Sequence, residues 1–202
     1  MQLNILYIHG FISSAQSLKA QVIRQWAGQN NYCFHCPTYP QYSAAKSVAE
    51  LRHILDAHRA DQSSWMIIGS SLGGFYAQFL AHKYSYPYVM INPALDPFSL
   101  FERYQGEHQN PQTQEQVLIN PEYLTQLANY EIQVPDPRLV SLLLMDEKDE
   151  VIDVAFAKQK YSGLPLNRTR IYSEGNHDFT HMAEGLLEIE RLIATVQSQS
   201  RL

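Results

Sequence analysis

Only two cysteines, fewer cations than anions and no long apolar run set the first limits on this chain. Every apolar run falls short of the ~20 residues that a membrane-spanning helix needs, so no span is expected. The N-terminus lacks the basic start and small-residue cleavage site of a signal peptide, and Met1 is expected to lead almost directly into folded structure. Lys plus Arg number 15 against 20 Asp plus Glu, a net charge of −5. A chain of that sign has no general attraction for nucleic acid or anionic lipid. Cys33 and Cys36 share the stretch 32–36, where an extended backbone turns residues three apart to opposite faces. A disulfide between them is therefore disfavoured. Zinc would need more ligands than the neighbouring His35, and no second cysteine pair supplies them. Buried, reduced thiols in a cytoplasmic protein are the expectation.

The 202 residues are 45% hydrophobic and 17% charged, the composition of a globular body. Residues 1–202 are expected to form one α/β domain, since a chain of this size hides ~70% of its unfolded surface around one core. Short apolar runs alternate with amphipathic stretches, the signature of βα units on a mostly parallel sheet of about six strands. Strands are expected at 3–8, 32–36, 65–68, 88–91, 139–145 and 170–172, and helices at 14–29, 44–60, 72–83, 154–161 and 182–197. Near-continuous apolarity of most strands predicts helices on both faces. In the last helix, Leu186, Leu187, Ile189, Ile193 and Val196 predict an apolar face, with Glu184, Glu188 and Glu190 outside. Residues 93–137, rich in proline, glutamine and asparagine, break the rhythm. Short helices crossing one end of the sheet are expected there, either as a small lid-like insertion that covers a site or as a peripheral packing excursion with no role in ligand access. The tail 197–202 is expected to be disordered.

Gly69-Ser70-Ser71-Leu72-Gly73 matches G-x-S-x-G and joins the run 65–68 to the helix opening at Leu72. So tight a strand-to-helix turn strains the nucleophile's backbone and would make side chains two residues before and after collide. Gly69 and Gly73 relieve that crowding, and Gly74 lets the helix approach the sheet. Ser71 then sits at a helix N-terminus, where free N–H groups and the dipole favour a developing negative charge. Phosphate binding is the competing use of such a turn, but G-x-x-x-x-G-K-[ST] and G-x-G-x-x-G are both absent.

A serine hydroxyl needs an imidazole to remove its proton and a carboxylate to fix that imidazole's tautomer. His177 follows the strand 170–172 and Asp149 follows 139–145, so both emerge at the same end of a parallel sheet as Ser71. His181, four residues on, is the rival base, read as a surface residue in the first turn of the last helix. Asp146, Glu147, Glu150 and Asp153 surround Asp149, and spacing alone does not choose among them. A second oxyanion donor beside the Leu72 N–H is expected from Phe11, with Gly10 permitting the turn that aims it. His9 reads as a structural histidine ending a buried strand, and Ser13 and Ser14 as helix caps.

The strings Tyr7-Ile8-His9-Gly10-Phe11, Gly69-Ser70-Ser71-Leu72-Gly73-Gly74, Asn92-Pro93-Ala94, Asp149-Glu150-Val151 and Gly175-Asn176-His177 run in one order along nearly the whole chain. In that order they resemble the α/β-hydrolase superfamily, and more narrowly the YqiA-type esterases of bacteria. The resemblance implies a minimal three-layer hydrolase core, with Ser71 as nucleophile, Asp149 as acid and His177 as base. It also implies a small acyl ester as substrate and no cofactor or metal. An acyl thioester is the nearest alternative substrate, and a non-catalytic binding module the alternative of another class. The sequence departs from the family's pattern at Ile12, where Asn is usual, and at Asp96, where a basic residue often stands.

Overall fold

Along the apolar runs 3–8, 65–70, 88–91 and 141–146, successive side chains turn to opposite faces, and nearly all are buried on both. The computed structural model describes residues 2–58 and 64–199. In order they form β1 (Leu3–Ile8), α1 (Leu18–Gln29), β2 (Cys33–His35), α2 (Ala44–Ala57), β3 (Ser64–Ser70), α3 (Leu72–Tyr84) and β4 (Tyr88–Ile91). There follow α4 (Pro97–Glu102), β5 (Gly106–Gln109), β6 (Gln116–Ile119), α5 (Pro121–Ala128), β7 (Ser141–Asp146), α6 (Val154–Lys160), β8 (Asn167–Tyr172) and α7 (Met182–Gln199).

Six strands make one sheet in the order β2-β1-β3-β4-β7-β8, with every neighbouring pair parallel. Period-two alternation builds two cores. Ile5, Tyr7, Met66, Ile68, Val89, Ile91, Leu142 and Leu144 pack against Ile23 and Trp26 of α1 and Ile189, Leu192 and Ile193 of α7. Leu6, Ile8, Ile67, Met90, Leu143 and Met145 pack on the other face against Val48 and Leu51 of α2 and Phe75 and Leu80 of α3. Because the strands are parallel, the loops after β1, β3, β4, β7 and β8 all leave from one end. The chain reverses its direction of sheet growth between β1 and β3, which opens a crevice at their carboxyl ends. No described helix is long and apolar enough to cross a membrane.

Several expectations are corrected. α1 starts at Leu18, four residues later than position 14, because Ser17 accepts from the Ala20 N–H and caps it. Ser14 instead hydrogen-bonds Gln112, and the Ser13 carbonyl accepts from Asn110 Nδ2 at 2.8 Å. Residues 93–137 contain α4 and α5 as expected, but between them β5 and β6 pair as an antiparallel hairpin. Its turn is closed by Asn110 Oδ1, which accepts from the Gln112 and Thr113 N–H groups.

In α7, Leu187 is 54% exposed while Glu188 is buried. The apolar stripe falls on Ile189, Leu192 and Ile193, and Glu188 turns inward to meet Arg191 at 2.6 Å and Arg170 of the edge strand at 3.3 Å. α7 continues through Gln199, across the start of the tail expected to be disordered. Cys33 and Cys36 are free thiols but only half-buried. Met1, the expected helix end at 59–60 and the tail positions 200–202 lie outside the described residues.

Candidate active site

Ser71 stands between β3 and α3 with φ 55° and ψ −125°, backbone angles that a side chain rarely adopts. Three backbone bonds hold it there: its N–H donates to Ile91 O at 3.0 Å, and its carbonyl accepts from Gly74 N–H at 2.9 Å and Ala94 N–H at 3.1 Å. The turn is as crowded as the sequence implies. A Cβ on Gly69 would lie 2.1 Å from the Gly73 carbonyl oxygen, and one on Gly73 would lie 2.1 Å from that of Ile8.

His177 Nε2 lies 2.9 Å from Ser71 Oγ. On the other side of the ring, Nδ1 lies 2.8 Å from Asp149 Oδ2 and 3.0 Å from Oδ1. A carboxylate only accepts, so Nδ1 carries the proton and Nε2 is left to accept from the serine hydroxyl. The Asp149 side chain is fully buried and is satisfied further by the N–H groups of Val151 at 2.8 Å and Ile152 at 3.0 Å. Ser71, His177 and Asp149 are thus brought together as one hydrogen-bonded chain.

Phe11 and Leu72 flank the same serine. Leu72 opens α3, so its N–H has no carbonyl within the helix. The Gly10 carbonyl accepts from Gln41 Nε2 at 2.7 Å and the His9 carbonyl from the Tyr39 hydroxyl at 2.6 Å. A trans peptide whose carbonyl is fixed on Gln41 points the Phe11 N–H the opposite way. The reason for glycine at position 10 differs from the expected turn. Gly10 is not in the left-handed region; a Cβ there would sit a tight 3.1 Å from Ser71 Cβ, so close approach to the serine is what favours glycine. The positive φ falls on Ile12, at 45°, a conformation that Asn tolerates far better than a β-branched residue. Asp96, the other departure, accepts from Ser99 N–H at 3.2 Å and caps α4.

His9 is buried, stacks on Tyr39 with ring centroids 4.4 Å apart and meets the Gly10 carbonyl through Nδ1 at 3.0 Å. Burial lowers its pKa to about 4. His181 departs from the surface role expected of it. Its Nδ1 lies 2.6 Å from Asp146 Oδ1 and its ring stacks on Tyr172 at 4.9 Å. Asp146 also accepts from the N–H groups of Asn176 at 3.2 Å and Thr180 at 2.7 Å, so this carboxylate secures the loop that carries His177. Asn92, which the reading of the sequence leaves without a role, joins them: Oδ1 accepts from Asp146 N–H, and Nδ2 donates to the Asn176 carbonyl. Its signal was a polar residue ending the apolar strand 88–91.

A cleft of about 340 Å³ opens beside Ser71, walled by Phe11, Ser13, Leu18, Lys19, His177 and Asp178 among others. The arrangement can activate a hydroxyl, shuttle its proton and hold an oxyanion beside a space of small-ligand size. Among the described residues no group of three or more His, Cys, Asp or Glu side chains could hold a metal ion.

This is the α/β-hydrolase fold, and solved structures agree. Est1E from Butyrivibrio proteoclasticus superposes with a TM-score of 0.75 at 12% identity, over 100% of this chain and 89% of that one. A solved structure described under the metagenome-derived lipolytic enzymes LipS and LipT gives 0.75 at 15% identity, over 98% of this chain and 94% of that one. Alpha/beta hydrolase domain-containing protein 10 from mouse gives 0.72 at 16%, over 97% and 90%. Residues 4–194 match the model of the Uncharacterised protein family (UPF0227), and the chain belongs to that family, the YqiA family.

Proposed function

We propose that this protein is a serine esterase that hydrolyses small carboxylic esters through an acyl-enzyme. The observation that carries the reading is the continuous hydrogen-bonded chain from the Asp149 carboxylate through the His177 ring to the Ser71 hydroxyl, with contacts of 2.8 and 2.9 Å. In the reaction, Nε2 of His177 takes the hydroxyl proton as Ser71 Oγ attacks the acyl carbon. The carbonyl electrons move onto oxygen, where the Phe11 and Leu72 N–H groups hold the charge. As the carbonyl re-forms, the bond to the leaving alcohol breaks and the alcohol takes the proton from His177. Water then repeats both steps and releases the acid. Asp149 keeps the imidazole in one tautomer and stabilises its protonated form.

The lipolytic activity named for LipS and LipT, on the same fold, supports this reading. An acyl thioester passes through the same steps, and ester and thioester substrates with one common acyl group separate the two. Residues 1–202 act as one domain in this reading, with 93–137 a small lid-like insertion pinned beside the cleft. The contacts supporting that role are Asn110 on Ser13 and the Phe101 ring on Phe11, centroids 5.0 Å apart. The test is Ser71→Ala, which should abolish hydrolysis of 4-nitrophenyl butyrate while the protein stays folded. Unchanged turnover rejects the assignment.

A further inference from the structure

Lys19 stands where local electrostatics disfavours it. It is the second residue of α1, at the positive end of the helix dipole, and no acidic residue shares that first turn. A residue that breaks a local rule points to a task elsewhere in the fold. Here the side chain is only 21% exposed and walls the same cleft as Ser71 and His177. The ammonium donates to the carbonyls of Asp178 at 3.1 Å and His177 at 3.4 Å. Those acceptors are neutral. The Asp178 carboxylate lies 4.0 Å away with its side chain 96% exposed, so water screens that pair.

We propose that Lys19 is a specificity-determining residue whose ammonium binds an anionic group, a carboxylate or phosphate, carried by the substrate. The inference rests on the esterase reading of Ser71 and names the substrate class for that site. Burial pushes the ammonium pKa down, while Asp178, Asp149 and Asp146 pull it up. An anion entering the cleft offsets that desolvation directly and forms a charge-assisted bond shielded from bulk water. The preference is local to the cleft, because the protein as a whole is acidic, at −5, and repels anions at long range.

The anion can belong to the acyl group or to the leaving group, and paired substrates distinguish these. For the acyl side the pair is mono-4-nitrophenyl succinate against 4-nitrophenyl butyrate. For the leaving side it is the butyrate ester of 4-hydroxybenzoate against the butyrate ester of its methyl ester. The quantity measured is the ratio of kcat/KM for the anionic to the neutral member, in the wild type, Lys19→Met and Lys19→Arg. Loss of the bonds to the His177 loop slows both members of a pair alike and cancels in the ratio.

In one of the two pairs, Lys19→Met should lower the ratio about tenfold, the size of one charge-assisted bond, while Lys19→Arg largely keeps it. If neutral esters are cleaved and the ratio is unmoved in both pairs, Lys19 only props the loop and the proposal is overturned. If folded wild type cleaves none of the four, the esterase reading itself fails and this inference falls with it.

Discussion

Asn92 holds the backbone of His177 from the end of β4, two strands away from β8: its Nδ2 donates to the His177 carbonyl at 3.3 Å and to the Asn176 carbonyl at 2.9 Å, while Oδ1 accepts from Asp146 N–H at 2.9 Å. One buried amide therefore ties the end of β4 to the loops after β7 and β8. These loops carry Asp149 and His177, so the imidazole approaches Ser71 from a backbone fixed at both ends.

Asn92→Asp replaces the donating amide by a group that only accepts, leaving two carbonyls facing a buried oxygen. Stability should fall by roughly 2–4 kcal/mol. In the fraction that folds, kcat for a neutral aryl ester should drop about 10- to 100-fold with little change in KM. Urea melts and steady-state kinetics check both; a wild-type kcat would show that His177 is held by other contacts.

Two glycines make an internal control for the elbow. A Cβ on Gly69 would lie 2.1 Å from a backbone oxygen, whereas one on Gly28 meets nothing within 4 Å. Gly69→Ala should cost more than ~4 kcal/mol and yield little folded protein. Gly28→Ala, in the exposed last turn of α1, should add about 0.5–1 kcal/mol. Thermal melts of the two variants measure the contrast.

His9 makes stability depend on acidity. Its folded pKa, about 4, lies below the ordinary 6.5, so above pH 6.5 neither state binds the proton and the group has no effect. As pH falls from 6.5 towards 4 the unfolded chain takes up a proton that the folded one refuses, and stability is lost. The full shift corresponds to about 3 kcal/mol. Urea unfolding at pH 7.0 and 4.5 should show a loss about 2–3 kcal/mol larger in the wild type than in His9→Gln. Equal losses would mean that His9 does not titrate in this window.

The serine and histidine of the proposed triad were legible in the sequence because Ser71 and His177 each follow an apolar run at the carboxyl end of a strand, and Gly69 and Gly73 mark the turn. The carboxylate partner of His177 was not legible by spacing. Asp146 ends β7 and Asp149 lies three residues further on, and only the fold decides that one meets His181 and the other His177. Asn92 escaped for a related reason, since its partners arrive from positions 84 and 85 residues away. The β5–β6 hairpin has strands of four residues, with Gln116 and Leu118 turned outward, too short and too polar to stand out from a loop. The start of α1 was misread because Ser13, Ser14 and Ser17 can all cap a helix, and contact of Ser14 with Gln112 leaves the task to Ser17.

The most direct measurement is peptide-level mass spectrometry after treatment with an aryl fluorophosphonate at neutral pH. One adduct on Ser71 is the result this account requires, formed far more slowly in His177→Ala. Labelling of Ser70 in place of Ser71, or equal rates in the two proteins, would contradict it.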